Sequence, residues 1–194
     1  MKEARGNWFQ QFADVRLDSF VFLDEFGATT SMARAYARAP RGERAWCDEP
    51  AGHWKVLSTI AAMTVRGVVC SASFEGATDA ELFVTFAREA LVPSLVPGQV
   101  VVLDNLGAHK AAEVRRLVEQ AGCRLVPLPP YSPDLNPIEM AISKVKSLLR
   151  SLALRTVDGL FAGIGPALAS VTASDALNFI EHCGYAATDQ RKPL

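Results

Sequence analysis

Apolar residues in this chain occur in two patterns: short unbroken blocks that end on acids or turn residues, and longer stretches where they recur every three or four positions. Blocks predict strands, recurrences helices. LDSFVFLDE, residues 17–25, is an aromatic and β-branched block that predicts a central strand with Asp24 at its end. TTSMARAYARAP, residues 29–40, alternates small with large and would set Met32, Arg34, Tyr36 and Arg38 on one face of a second extended segment before the turn-like PRGE. Residues 54–76 supply two more strand candidates around Arg66-Gly67, a hairpin signal.

Beyond residue 77 the period lengthens. Thr78 with Glu81 three positions on predicts a capping-box helix carrying Leu82, Phe83, Phe86, Ala90 and Leu91 at helical spacing. GQVVVLDN is then a continuous apolar strand, GAHKAAEVRRLVEQAG a helix closed by glycine, and CRLVPLP a further strand, together a β-α-β crossover. From Asn136 a long amphipathic helix begins, followed by shorter helical patterns from about Val157 to Ser170 and from Ser174 to Cys183. The proposed order is three antiparallel strands, a helix, a strand, a helix, a strand and a C-terminal helix. This is the order of the ribonuclease H-like fold: α/β, a mixed five-stranded sheet flanked by helices, with extra C-terminal helices. Residues 1–18 would be an N-terminal extension, 19–155 the core, and 156–194 a C-terminal helical extension of the same domain.

Composition narrows the class without naming a chemistry. The 194 residues are 49% hydrophobic and 21% charged, which predicts one ordinary globular domain. A formal net charge of −1 gives no basic excess of the kind nucleic-acid binders often carry, although a local basic stripe is compatible with a neutral total. Cys47, Cys70, Cys123 and Cys183 are dispersed, with neither a C-x-x-C pair nor zinc-finger spacing, which predicts reduced thiols and a cytoplasmic setting. The N-terminal residues carry no apolar signal core and no stretch is long enough to span a bilayer, so no membrane association is expected.

The candidate chemistry lies in three acids. Asp24 and Asp104 each close a buried-strand pattern, and Glu139 stands at a helix start in PYSPDLNPIE. Neighbouring strands would set the two aspartates side by side, and the long helix would bring up Glu139. Such a cage suits hard divalent cations and phosphodiester chemistry. Taken singly, each acid also has a plainer reading. Glu139, three after Asn136 with Pro137 between, fits a helix cap; Asp104-Asn105 fits a turn; Asp24 has Glu25 beside it as a solvated charge or an alternative ligand.

The motifs FLDEFG at Asp24, RAPRGER at 38–44, GHWK at 52–55, LDNLGAHK at 103–110 and PPYSPDLNPIE at 129–139, in this order and spacing, resemble the DDE-type transposases of the mariner superfamily, especially their bacterial insertion-sequence branch. The resemblance extends from Phe20 to Tyr185. It implies a catalytic domain that cleaves DNA at transposon ends and joins strands into a target, with Asp24, Asp104 and Glu139 holding two Mg²⁺ ions, or Mn²⁺ in their place. One ion would activate a water or a DNA 3′-OH and the other would steady the departing oxygen. Asn105 and His109 are candidates for supporting these ligands or contacting DNA. Lys146 and Arg150, on the stripe of the long helix that carries Glu139, and Arg34, Arg38, Arg41 and Arg44 are candidate DNA contacts, with a partner subunit as the alternative for the arginine cluster.

The expected partners are transposon-end and target DNA and a second copy of the chain in a synaptic complex, the protein being nucleoid-associated when DNA-bound. Family members carry an N-terminal helix-turn-helix reader, and Asp24 stands too near Met1 for one, so a separate reader is expected to be needed. A ribonuclease H-like nuclease without strand transfer, and a truncated or domesticated non-catalytic module, are the competing readings.

Overall fold

A computed structural model describes residues 7–34, 36–46, 50, 52–104 and 108–185, with the side chains of 108–111 left undescribed. Its centre is a five-stranded sheet of β1 (Phe20–Thr29), β2 (Val56–Thr64), β3 (Gly67–Glu75), β4 (Val100–Leu103) and β5 (Arg124–Pro127), in the order β3-β2-β1-β4-β5. The first three strands are antiparallel, whereas β4 and β5 run parallel to β1. Parallel pairing demands crossovers. Helix α1 supplies the first (Ala80–Phe86, prolonged through a π turn at Ala87–Leu91 and through Val92–Ser94) and α2 (Ala108–Gln120) the second. Three further helices follow: α3 (Ile138–Leu152), α4 (Val157–Ala169) and α5 (Ala173–His182).

Side-chain alternation divides each strand between two cores. Val21, Leu23, Val101, Leu103 and Leu125 pack against Phe83, Phe86 and Leu91 of α1 and Val114 and Val118 of α2. Phe20, Phe22, Phe26, Val100 and Val102 face the other way, onto Ile138, Ile142, Val145 and Leu149 of α3 and the buried faces of α4 and α5. Trp8 and Phe12, in a 3-10 turn at Trp8–Phe12, are buried in this second core, so the described part of the 1–18 extension contributes to the packing. No single helix among the described residues is long and apolar enough to cross a membrane.

Four local expectations are corrected. The described residues of 31–40 form no strand: after Thr29 the chain leaves the sheet and rejoins it at Val56, and its alternation of Ala and Arg offers too little apolar surface to bury. The start of this segment is held by Arg155, whose Nη1 donates to the Thr30 and Met32 carbonyls at 3.3 and 2.6 Å. The cap of α1 is Asp79, which accepts from the Leu82 N–H at 2.8 Å, rather than Thr78. Leu152, which continues the core spacing of Ile138, Ile142, Val145 and Leu149 in the sequence, is 47% exposed, since α3 ends there and Ala153 turns left-handed at φ 50°. Lastly, α3 begins at Ile138 instead of Asn136, with consequences for the site.

The hairpin at Arg66-Gly67 forms as the sequence predicts. Gly67 has φ +102°, and a Cβ there would meet the Val171 carbonyl oxygen at 2.6 Å, so only glycine lets this turn pack on the corner between α4 and α5.

Candidate functional site

Asp24 is brought to Asp104 by sheet register. β1 and β4 pair in parallel from Phe20 with Val100 through Leu23 with Leu103, and the next residue on each strand is the aspartate. Both follow the alternation of Phe22 and Val102, hence both belong to the α3 side of the sheet. The strands' carboxyl ends are where open α/β sheets present ligand sites, because chain loops depart there and leave a crevice.

Glu139 arrives from the opposite layer. The chain leaves β5, passes Tyr131, which is 87% exposed in a left-handed conformation at φ 56°, and makes a 3-10 turn at Pro133–Leu135 before α3 starts. The Tyr185 hydroxyl, itself fully buried, holds this turn by donating to the Leu135 carbonyl at 2.8 Å while accepting from Trp8 Nε1 at 3.0 Å. Pro137 fixes the entry to α3, and Ile138, Ala141, Ile142 and Val145 bury the helix against the sheet. Glu139, in the first turn and exposed, is thereby delivered to Asp24.

The electrostatics report how closely the acids converge. Desolvation pushes the Asp24 carboxyl up to about 7; the Glu25 N–H donating to Oδ1 at 2.7 Å opposes this, while the charges of Glu139 and Asp104 and a hydrogen bond to Glu139 add to it. Both other acids are therefore within electrostatic reach of Asp24, and Glu139 is in contact. Asp104 and Glu139 are exposed, whereas Asp24 is only partly so. Beside Glu139 a pocket of about 400 Å³ is lined by Asp134, Asn136, Met140 and His182 among others.

The donor set suits a hard divalent cation, which takes carboxylate and carbonyl oxygens. Asp24, Asp104 and Glu139 supply the former; close to Asp24, the Asn136 Oδ1 is a buried amide oxygen without a hydrogen-bond partner among the described residues. The side chains converge without forming a closed cluster: among the described residues no three His, Cys, Asp or Glu groups stand ready to hold one metal ion.

The plainer reading of Glu139 fails. No side chain caps α3, and the Asn136 amide instead donates from Nδ2 to Asp24 Oδ2 at 3.4 Å. Asn136, 1% exposed, is the site residue that sequence reasoning took only for a cap. The available signal was Pro137, since a residue before proline is driven to extended backbone, and Asn136 has φ −110° and ψ 95°.

Lys146 lies two helical turns from Glu139, with Nζ 5.8 Å from the centre of the Phe26 ring on β1. Arg150 is half-buried one turn further along α3. Arg34, Arg38, Arg41 and Arg44 are all exposed in the excursion between β1 and β2, Arg44 lying 4.9 Å over the Trp46 ring. Asn105 and the His109 side chain lie outside the described residues, as does Cys47.

Residues 19–160 match the family of DDE superfamily endonucleases. No curated protein sequence matches the chain. Among solved structures, the Mos1 transposase paired-end complex with left transposon end has a TM-score of 0.74 at 17% identity, covering 94% of this chain and 57% of that one. The Mos1 mariner paired-end complex with Mn gives 0.69 at 16% identity, with 94% and 57% covered. The catalytic domain of Mos1 mariner transposase gives 0.66 at 15%, with 94% and 85% covered. This chain thus spans a little over half the length of the chains in the two paired-end complexes. At these identities the likeness establishes the ribonuclease H-like fold.

Proposed function

Because the chain belongs to the DDE superfamily endonucleases, we propose that it is the catalytic domain of a DNA transposase of the mariner superfamily, bacterial insertion-sequence branch. It would cut phosphodiesters at transposon ends and transfer the freed strand into target DNA. What supports this reading is that the charges of Asp104 and Glu139 both act on Asp24, where the parallel pairing of β1 with β4 ends and α3 begins.

Asp24, Asp104 and Glu139 would hold two Mg²⁺ ions, with Mn²⁺, present in one of the Mos1 complexes, as a substitute. When bound, such ions supply Lewis acidity at the attacking and departing oxygens of an in-line displacement. Asp24 must release its proton to serve as a ligand; its carboxyl lies at about 7 in the metal-free protein, and a bound cation would draw the proton off at lower pH. Glu139 and Asp104 stand at the solvent side, where a phosphate can approach, while the second core behind Asp24 keeps its rear dry. Lys146 and Arg150 continue the α3 stripe and would take phosphates flanking the scissile one. The exposed arginines of the excursion would meet DNA or the second subunit.

The working form would be a cytoplasmic homodimer on nucleoid DNA, with a helix-turn-helix region reading the ends. The test incubates the protein, with and without a supplied end-binding domain, on DNA carrying candidate terminal repeats in Mg²⁺ or Mn²⁺. Metal-dependent cleavage and joining that are lost in Asp104→Ala are expected. Cleavage without joining would mean a nuclease, and metal-independent binding alone a non-catalytic module.

A further inference from the structure

The amide of Asn136 is placed where a cap should be and does not cap. Its backbone is already satisfied: the N–H donates to the Pro133 carbonyl at 2.9 Å and its own carbonyl accepts from the Glu139 N–H at 3.1 Å. The side chain, 1% exposed, spans inward to Asp24, leaving Oδ1 without a partner among the described residues. Turning the amide over would set Oδ1 against the Asp24 carboxylate, acceptor to acceptor, and orphan Nδ2 as well. Burying half an amide unpaired works against folding, so this placement points to a role outside the fold's own stability.

We infer that Asn136 is a positioning residue of the active site, whose amide nitrogen orients the Asp24 carboxylate and whose free oxygen faces the ligand that the carboxylates hold. The inference rests on the metal-dependent reading above and adds to it a residue outside the acidic trio. The geometry explains why the residue sits where it does. Pro137 forces the preceding residue to extend, which swings its side chain off the helix end and across to β1. The 3-10 turn pinned by Tyr185 then fixes Asn136 relative to Asp24, while the same turn's continuation carries Glu139. One short segment therefore delivers a ligand and aligns its neighbour. An amide suits the second task because it donates to the carboxylate without adding charge to an already crowded acidic site.

The test compares wild type with Asn136→Ala and Asn136→Leu, the latter filling the same space without any polar atom. Mn²⁺ binding to the full chain is measured by titration calorimetry, with no DNA present, alongside thermal unfolding in chelator. Positioning of ligands from outside the coordination sphere is commonly worth about tenfold or more in metal affinity, so both variants should bind Mn²⁺ about tenfold more weakly. Their metal-free melting temperatures should equal or exceed that of wild type, because an orphaned polar atom has been removed. A purely structural Asn136 would show the reverse: lowered melting and unchanged affinity. That result, or loss of the fold in both variants, overturns the inference while leaving the transposase reading intact. Failure of wild type itself to bind Mn²⁺ would overturn the reading beneath and this inference with it.

Discussion

Replacing Asp24 by Asn should stabilise the metal-free protein at neutral pH while destroying its chemistry. In the native fold the Asp24 carboxyl is raised from 3.8 to about 7, first by desolvation and then by its acidic neighbours. Since the folded value lies above the unfolded one, the contribution of Asp24 to stability is fully present below about pH 4 and is lost as pH rises through about 7. Between those limits folding takes up a proton, and each pH unit costs about 1.4 kcal/mol, an upper bound of about 4 kcal/mol over the whole interval. Asp24 keeps some contact with water, which reduces the figure. Asparagine has no proton to exchange, so its stability lacks this slope. Urea unfolding of both proteins in chelator, at about pH 5 and about pH 8, should show the advantage of Asp24→Asn growing by about 2 kcal/mol toward the higher pH. An advantage that stays constant, or a wild type that gains on the variant as pH rises, would refute the claim that Asp24 is a desolvated acid crowded by other carboxylates.

Other outcomes follow from the same geometry. Asp104→Ala and Glu139→Ala should each abolish Mg²⁺-dependent cleavage of end DNA, yet melt in chelator no lower than wild type, because each removes a like charge from the neighbourhood of Asp24; differential scanning fluorimetry beside a cleavage gel checks both. Lys146→Ala and Arg150→Ala should weaken DNA binding and lower the slope of log affinity against log salt by about 0.9 for each phosphate no longer neutralised, read by fluorescence anisotropy across a salt series. Tyr185→Phe would leave both Trp8 Nε1 and the Leu135 carbonyl without their buried partner, and should cost about 1–3 kcal/mol in urea unfolding. The same variant should slow cleavage at saturating DNA, because the turn that delivers Glu139 is loosened.

The described residues between β1 and β2 show where pattern and structure part company. Alternation across 31–40 satisfies the period of a strand, but a strand persists only if one face finds something to bury against, and Tyr36, at 91% exposed, finds no cover among the described residues. The hairpin at Gly67 was legible for the opposite reason: its turn chemistry and the β-branched runs on both sides agree, and the packing against Val171 confirms the glycine. Asn136 misled because capping preference is a local rule. The proline beside it, and an aspartate more than a hundred positions earlier, decided its direction.

The mixed sheet, the two crossover helices and the candidacy of the three acids follow from the sequence alone, because hydrophobic period and turn residues act over a few positions and a motif's spacing is carried in the chain itself. What only the tertiary structure decided is how those acids face one another: the parallel register that sets Asp24 beside Asp104, the buried clasp of Trp8, Tyr185 and Leu135 that presents Glu139, and the burial that holds Asp24 at about 7. Each depends on desolvation and contact between segments far apart in the chain, and neither quantity exists until the layers have packed.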